Sequence, residues 1–317
     1  MTGGSWNMRR FIWGVLGLVV LAVAGLAVFD RIAPERSAAL AADLERHAAH
    51  LQRKTVSIPG FDIVYLEGGS GEPLVLVHGF GADKDNFTRV AAHLTAHYRV
   101  IIPDLPGFGE SSKPADVTYR IEDQAERLDQ ILGALGVSQA HFGGSSMGGW
   151  IIAAYAARFP DKAQSLWLLA PGGVSSAKPS PMLQTFAQTG KSPLVIDKPE
   201  DFAHLLDMAM ADPPFLPYGV KKVLAERAVR DHALHSAIFL QLHGQSQPLQ
   251  EIAPQVRAPS LIVWGAEDQV LDVSGAQILH DALPGSRLII MPGIGHLPML
   301  EAPRQTARDY LAFRKAL

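Results

Sequence analysis

Gly143-Gly144-Ser145-Ser146-Met147-Gly148-Gly149 is the stretch on which the reading of the fold turns. Its inner five residues, Gly144 to Gly148, read Gly-x-Ser-x-Gly, and their flanks supply the context that so short a pattern needs. Gln139-Ala140-His141-Phe142 before it has the character of a short strand. Trp150-Ile151-Ile152-Ala153-Ala154-Tyr155-Ala156-Ala157-Arg158 after it is apolar enough for a buried helix. Strand, tight turn and helix put a serine on strained backbone with its Oγ lifted above a sheet edge, and the glycines clear the turn of Cβ atoms. The N-terminus of the helix lies behind such a serine, so the amide of Met147 is expected to face any oxyanion that forms there.

A serine hydroxyl needs a base, and the base needs an acid to orient it. After an elbow of this kind they follow in the order Ser, Asp or Glu, His. Ser260-Leu261-Ile262-Val263-Trp264 reads as a strand that ends in Gly265-Ala266-Glu267-Asp268, and Arg287-Leu288-Ile289-Ile290-Met291 as a later strand that ends in Pro292-Gly293-Ile294-Gly295-His296. Both polar residues therefore emerge at strand C-terminal ends, where open α/β sheets bind ligands. His296 is the last of the 12 histidines and sits in a Gly-rich loop that lets its ring approach the elbow. Asp268 is the expected acid because it lies in the turn itself. Its rivals are Glu267 beside it and Asp272, which opens the following helix and suits a cap. His280 is a rival to the base but falls on what reads as a helix. An acid after the strand that follows the elbow helix is closed off, since residues 162–196 contain neither Asp nor Glu.

Upstream, Pro73-Leu74-Val75-Leu76-Val77 is a short buried strand running into His78-Gly79-Phe80-Gly81, a turn placed to supply a second oxyanion amide, assigned to Phe80. His78 is read as holding that loop by hydrogen bonds rather than as a base. Asp104, in the Pro- and Gly-rich stretch over residues 103–112, precedes the serine and is read as a loop-holding carboxylate.

The order His78-Gly79-Phe80, Pro103-Asp104-Leu105-Pro106-Gly107-Phe108-Gly109-Glu110-Ser111-Ser112, Gly144-x-Ser146-x-Gly148, Trp264-Gly265-x-x-Asp268 and Gly295-His296 resembles the α/β-hydrolase superfamily over almost everything from residue 56 onward. Residues 264–275 and 78–85 are similar to its membrane-anchored monoacylglycerol lipase branch and that branch's bacterial lipase and phospholipase A relatives. The resemblance implies a mostly parallel twisted sheet flanked by helices, with a helical cap inserted in it. It implies a carboxylester hydrolase acting on lipids through Ser146, Asp268 and His296, with the amides of Phe80 and Met147 as oxyanion hole and no metal or organic cofactor. Monoacylglycerols are the first expectation and phospholipase A or lysophospholipase activity the alternative. A carbon-carbon hydrolase of ring-cleavage products has the same triad, and a non-catalytic binding module would be expected to have lost one of its members.

The 317 residues, 48% hydrophobic, provide core for one α/β domain with an insertion, and a net charge of −3 gives no reason to expect nucleic acid. With no cysteine, disulfides and thiolate metal sites are excluded. Residues 11–29 carry no charged or strongly polar side chain, which as a helix spans roughly 28 Å, close to a bilayer's hydrocarbon thickness. Arg9 and Arg10 precede this transmembrane candidate, so residues 1–10 are expected in the cytoplasm and the catalytic domain outside it, periplasmic in a Gram-negative cell. The competing reading is a cleaved signal peptide, with Ala22-Val23-Ala24 as a small-residue cleavage site. Residues 30–54 read as a juxtamembrane helix with Leu40, Leu44, Ala48 and Leu51 along one stripe, able to lie on the membrane, to pair with a second copy as a homodimer, or to pack on its own domain. Residues 55–171 and 259–317 make the expected core. Residues 172–258 make a helical cap, because compact domains do not carry structureless loops of that length, and it is rich in Met and Phe suited to lining an acyl pocket.

Overall fold

The structure is a computed structural model that describes residues 4–317, with side chains from Phe11 onward. The side chains of Arg9 and Arg10, on which the cytoplasmic placement of residues 1–10 rests, lie outside the described residues. Two helices lead, α1 (Gly4–Ile32) and α2 (Pro34–Ala48). Then come β1 (Leu51–Ile58), β2 (Phe61–Gly68), β3 (Pro73–Val77), a short α3 (Thr88–Ala91), β4 (Arg99–Pro103), α4 (Ile121–Ala134), β5 (Ala140–Ser145), α5 (Met147–Arg158) and β6 (Ala163–Leu169). Five helices follow before the next strand: α6 (Pro181–Thr189), α7 (Asp201–Ala209), α8 (Tyr218–Arg230), α9 (His232–Gln245) and α10 (Leu249–Ile252). The chain closes with β7 (Ser260–Gly265), α11 (Ser274–Ala282), β8 (Arg287–Met291), α12 (Pro298–Glu301) and α13 (Pro303–Lys315).

The eight strands form one sheet in the order β1-β2-β4-β3-β5-β6-β7-β8. Only β2 runs against the others, because the hairpin turned at Pro59-Gly60 pairs β1 and β2 antiparallel and β2 pairs antiparallel with β4. Strands β5 and β7 are buried at every position, as central parallel strands covered on both faces must be. On one face α5 carries Ile151, Ile152 and Tyr155 into a core shared with Leu128 of α4 and Leu279 of α11. On the other, Tyr310 and Phe313 of α13 pack with Trp167 and Val90. The chain passes from β3 to β4 on one side and returns to β5 on the other, so the strand order reverses at β3. The crevice at the C-terminal ends of β3 and β5 is therefore the place where such a sheet binds ligands.

Among the described residues one helix, over Phe11–Ile32, is long and apolar enough to cross a membrane, and none of its most apolar window is buried. The juxtamembrane helix expected over residues 30–54 is two elements and is shorter. α1 continues to Ile32, α2 stops at Ala48, His50 turns the chain at φ 54°, and Leu51 opens β1 opposite Gly68. The turn depends on Gly68, where a Cβ would lie 2.0 Å from the His50 carbonyl oxygen. Of the placements open to the apolar stripe, packing on its own domain is not the one found: Leu40 and Leu44 are 48% and 61% exposed, while Ala38, Ala41, Ala42, Glu45 and Arg46 turn toward the domain.

Within the insertion expected as a cap, α8 and α9 meet at Asp231. The last part of the insertion belongs to the core, since Leu249, Ile252 and Val256 are buried with α5 rather than packed in a cap.

Candidate active site

Ser146 sits between β5 and α5 at φ 53° and ψ −118°, a left-handed backbone that costs a serine strain and lifts its side chain off the sheet. The neighbouring glycines are sterically required. A Cβ on Gly144 would lie 2.5 Å from the Gly148 carbonyl oxygen, and one on Gly148 would lie 2.1 Å from that of Val77. The second contact presses the start of α5 against the end of β3 and brings the Phe80 turn beside the serine. A Cβ on Gly79 would lie 3.2 Å from the Ser146 Cβ.

Asp268 and His296 meet although 28 residues separate them, with His296 Nδ1 2.8 Å from Asp268 Oδ2 and both side chains buried. The other carboxylate oxygen accepts the backbone N–H groups of Val270 and Leu271 at 2.8 and 2.9 Å, which fixes its direction. A carboxylate accepts only, so Nδ1 carries the proton and Nε2 is left as the basic nitrogen. The rivals are occupied elsewhere. Glu267 is exposed, Asp272 accepts from the Ser274 N–H at 2.9 Å, and His280 Nδ1 lies 2.8 Å from Ser286 Oγ.

His78 is fully buried, and its Nε2 accepts the Leu105 N–H at 3.0 Å, so Nδ1 donates to the Gly79 carbonyl at 2.8 Å. Burial pushes its pKa below the usual imidazole value, and both nitrogens are used in bracing the loop. Asp104 is a brace as well. It accepts the N–H groups of Lys84 and Glu110, each at 2.7 Å, and the Lys84 ammonium at 2.9 Å.

Several residues that sequence reasoning passed over converge here. Glu301 accepts the N–H groups of Gly295 and Leu297 on one side and of Ala211 and Asp212 on the other, tying the His296 loop to the chain after α7. His235 of α9 stacks on Phe108 with ring centroids 5.1 Å apart, and burial pushes its pKa down to about 4, so at neutral pH it is an uncharged wall. Lys84, 1% exposed, donates to Asp104 and to Glu110, and its flanking aspartates are each held by an arginine, Asp83 by Arg227 at 2.6 Å and Asp85 by Arg46 at 2.7 and 2.6 Å.

Burial opposes ionisation of Asp83, but Arg227 and Lys84 outweigh it and hold its pKa at about 2. An unfolded aspartate titrates near about 3.9, so the folded value is the lower one. The ionised carboxylate then adds stability above about pH 4, and that contribution fades as the pH falls toward 2. Melting of wild type and Asp83→Asn between pH 2 and 6 is expected to show a stability gap that narrows on the acid side. A gap constant with pH would assign the loss to packing.

Ser146, His296 and Phe80 open on one cavity of about 530 Å³. Its far wall is apolar and comes from three helices, with Ala38 and Ala42 of α2, Phe202 and Leu206 of α7, and Val223 and Leu224 of α8. Arg46, Arg53, Arg89 and Arg227 also line it. Each is paired with a carboxylate, Asp85, Glu110, Glu45 and Asp83 respectively.

A serine on a strained turn after a central strand, a buried His-Asp pair on two later loops and a glycine turn beside the serine define a class. The chain belongs to the alpha/beta hydrolase fold family, which it matches over residues 72–303. It is a hydrolase of that superfamily, related to lipases and esterases. Lipase 3 of Moraxella sp. (strain TA144) is 41% identical over 278 residues, 86% of this chain and 88% of the relative. Monoacylglycerol lipase ABHD6 of Mus musculus is 28% identical over 257 residues, 77% of this chain and 76% of the relative. Among solved structures, a membrane phospholipase A described as a bacterial virulence factor superposes with a TM-score of 0.87 at 42% identity, covering 97% of this chain and 98% of its own.

Proposed function

We propose that the protein is a membrane-anchored serine hydrolase of lipid carboxylesters, monoacylglycerols first among them, working through an acyl-enzyme. Ser146 attacks the ester carbonyl while His296 Nε2 takes its proton and returns it to the leaving alcohol. Asp268 holds the imidazole in that tautomer and stabilises its charged form, and the amides of Phe80 and Met147 receive the oxyanion. Water then repeats the sequence on the acyl-enzyme.

The observation that carries this reading is the cavity, where Ser146 and His296 share a wall with Phe80 and the rest is largely apolar. Two of the helices that build it, α2 and α8, adjoin the end of the membrane-span helix, so a lipid reaches it with little exposure to water. Burying each methylene of an acyl chain adds up to about 0.8 kcal/mol until the cavity is full, which favours single-chain esters. Triacylglycerols are expected to react poorly.

Phospholipase A or lysophospholipase activity is the second reading. It is supported by the four arginines in the cavity wall, three of them from outside the inserted helices, and by the likeness to the membrane phospholipase A over 97% of this chain. Their carboxylate partners leave no unpaired cation for a phosphate, which keeps a neutral head group first. The test is one panel at matched concentration on the detergent-solubilised protein: monoacylglycerol, lysophosphatidylethanolamine, a diacyl phospholipid and a ring-cleavage dienoate. The fastest rate is expected on monoacylglycerol. A dominant rate on the phospholipids would keep the mechanism and replace the substrate, and a dominant rate on the dienoate would overturn the lipid reading.

The same proposal places the catalytic domain on the extracytoplasmic side, from Arg9 and Arg10 ahead of the apolar helix. Protease added to intact spheroplasts is expected to remove the domain. Protection of the domain, or a mature chain beginning near Gly25, would contradict an outward-facing retained anchor.

A further inference from the structure

Helix α8 starts without a cap of its own. Its N-cap position is Pro217, no side chain there accepts from the helix, and its first turn holds no acidic residue. The N–H groups of Tyr218 and Gly219, at the first turn of the helix, donate instead to the two carboxylate oxygens of Asp30, at 2.8 and 2.9 Å, from the last turn of α1. Ser37 of α2 donates to the same carboxylate at 2.6 Å, and the Arg31 guanidinium lies 4.3 Å from the centre of the Tyr218 ring. Gly219 is the residue that permits this approach, since a Cβ there would lie 2.7 Å from the Pro34 carbonyl oxygen and 2.8 Å from Asp30 Oδ1. The end of the apolar helix thus supplies, from 188 residues away, the cap that α8 lacks.

Eight residues further along α8, about 12 Å of helix, Arg227 reaches the loop after Phe80 and donates to Asp83 Oδ2 at 2.6 Å. The other oxygen of Asp83 accepts the Asp85 N–H at 2.9 Å, and the turn from Gly79 to Asp83 is closed by the Ala82 N–H on the Gly79 carbonyl. Neither arginine that grips this loop belongs to the sheet. Arg227 comes from α8 and Arg46 from α2.

We propose that α8 is a positioning element that links the end of the membrane-span helix to the oxyanion loop, with Asp30 and Arg227 as its positioning residues. The inference rests on the reading of Phe80 as an oxyanion donor and adds to it that the anchor end of the chain sets where that donor stands. Neither residue touches the reacting atoms. Their effect falls on the placement of the loop, and so on the transition state more than on substrate binding.

The full chain in detergent micelles is assayed on a short soluble p-nitrophenyl ester, with kcat and KM expressed per site titrated by a fluorophosphonate. An alkylboronic acid serves as a second probe, because its tetrahedral adduct with serine places an oxygen in the oxyanion hole. Arg227→Gln is expected to lower kcat per titrated site about tenfold and to weaken the boronate in proportion, with KM changed less than about twofold. Arg227→Lys should restore part of the loss. Asp30→Ala should act in the same direction and add little in the Arg227→Gln background, because both work through one helix. An unchanged kcat per site in Asp30→Ala, or a double variant whose losses multiply in full, would overturn the link. So would losses that vanish once titrated sites are counted. Wild type that neither titrates nor hydrolyses would instead remove the ester-hydrolase reading, and the link with it.

Discussion

Ser146→Ala is expected to lower ester hydrolysis by about 10⁵-fold, His296→Ala by a similar factor and Asp268→Asn by about 10⁴-fold. On the proposed mechanism the losses should not multiply, since the three side chains would act as one unit and the oxyanion amides would remain after any of them is removed. The aspartate substitution is the informative one. With Oδ1 committed to the Val270 and Leu271 N–H groups, the position facing His296 Nδ1 is Oδ2, and an amide nitrogen there would donate where a carboxylate accepts. The imidazole would then be driven to the tautomer that carries its proton on Nε2, where the lone pair is needed. Glu267→Gln, at an exposed neighbour without a place in this geometry, should leave activity unchanged. Near-normal activity in Asp268→Asn together with loss in Glu267→Gln would move the acid to Glu267.

Gly148→Ala is expected to be damaging as well, although it removes no functional group. Its Cβ would lie 2.1 Å from the Val77 carbonyl oxygen and 2.6 Å from that of His78, and both are backbone atoms that cannot rotate away. Relief requires α5 and β3 to separate, which costs about 3 kcal/mol and shifts Ser146 relative to the Phe80 amide by a distance that reactions of this kind do not tolerate. A fall of at least about 100-fold in kcat is expected in whatever protein still folds, with a lower melting temperature. Gly133→Ala is the control, because a Cβ there meets nothing within 4 Å and a helix gains from the exchange. Equal activity in the two variants would mean that the close approach of α5 to β3 does not set the site.

Residues whose candidacy follows from adjacency were legible before any coordinates. Ser146, Asp268 and His296 each stand shortly after an apolar strand run. His78 beside Gly79 reads as a loop brace and Asp104 falls before the serine in chain order, and the hydrogen bonds of both are those of braces. Periodicity misled where a short polar strand followed a helix. Leu51 continues the spacing of Leu40 and Leu44, and nothing in residues 49–50 marks the left-handed turn at His50 that a glycine far along the chain, Gly68, makes room for. Which face of α2 meets the domain was illegible for a related reason, since spacing alone left the Leu40 and Leu44 stripe three placements and closely packed alanines carry no signal of their own. Least visible were the contacts that join distant segments. Glu301 on the His296 loop, Arg46 on Asp85, Arg227 on Asp83 and Asp30 at the start of α8 lie in no pattern, because each is a charged residue whose partner is fixed by the fold and not by spacing.

Ser146 as the nucleophile of an ester hydrolase is open to covalent labelling. Purified full-length protein treated with a fluorophosphonate, then mapped by peptide mass spectrometry, is predicted to carry one adduct, on Ser146, with ester hydrolysis lost in step with its appearance and no labelling in Ser146→Ala. Undiminished hydrolysis in protein fully labelled at Ser146, or in Ser146→Ala itself, would contradict the account.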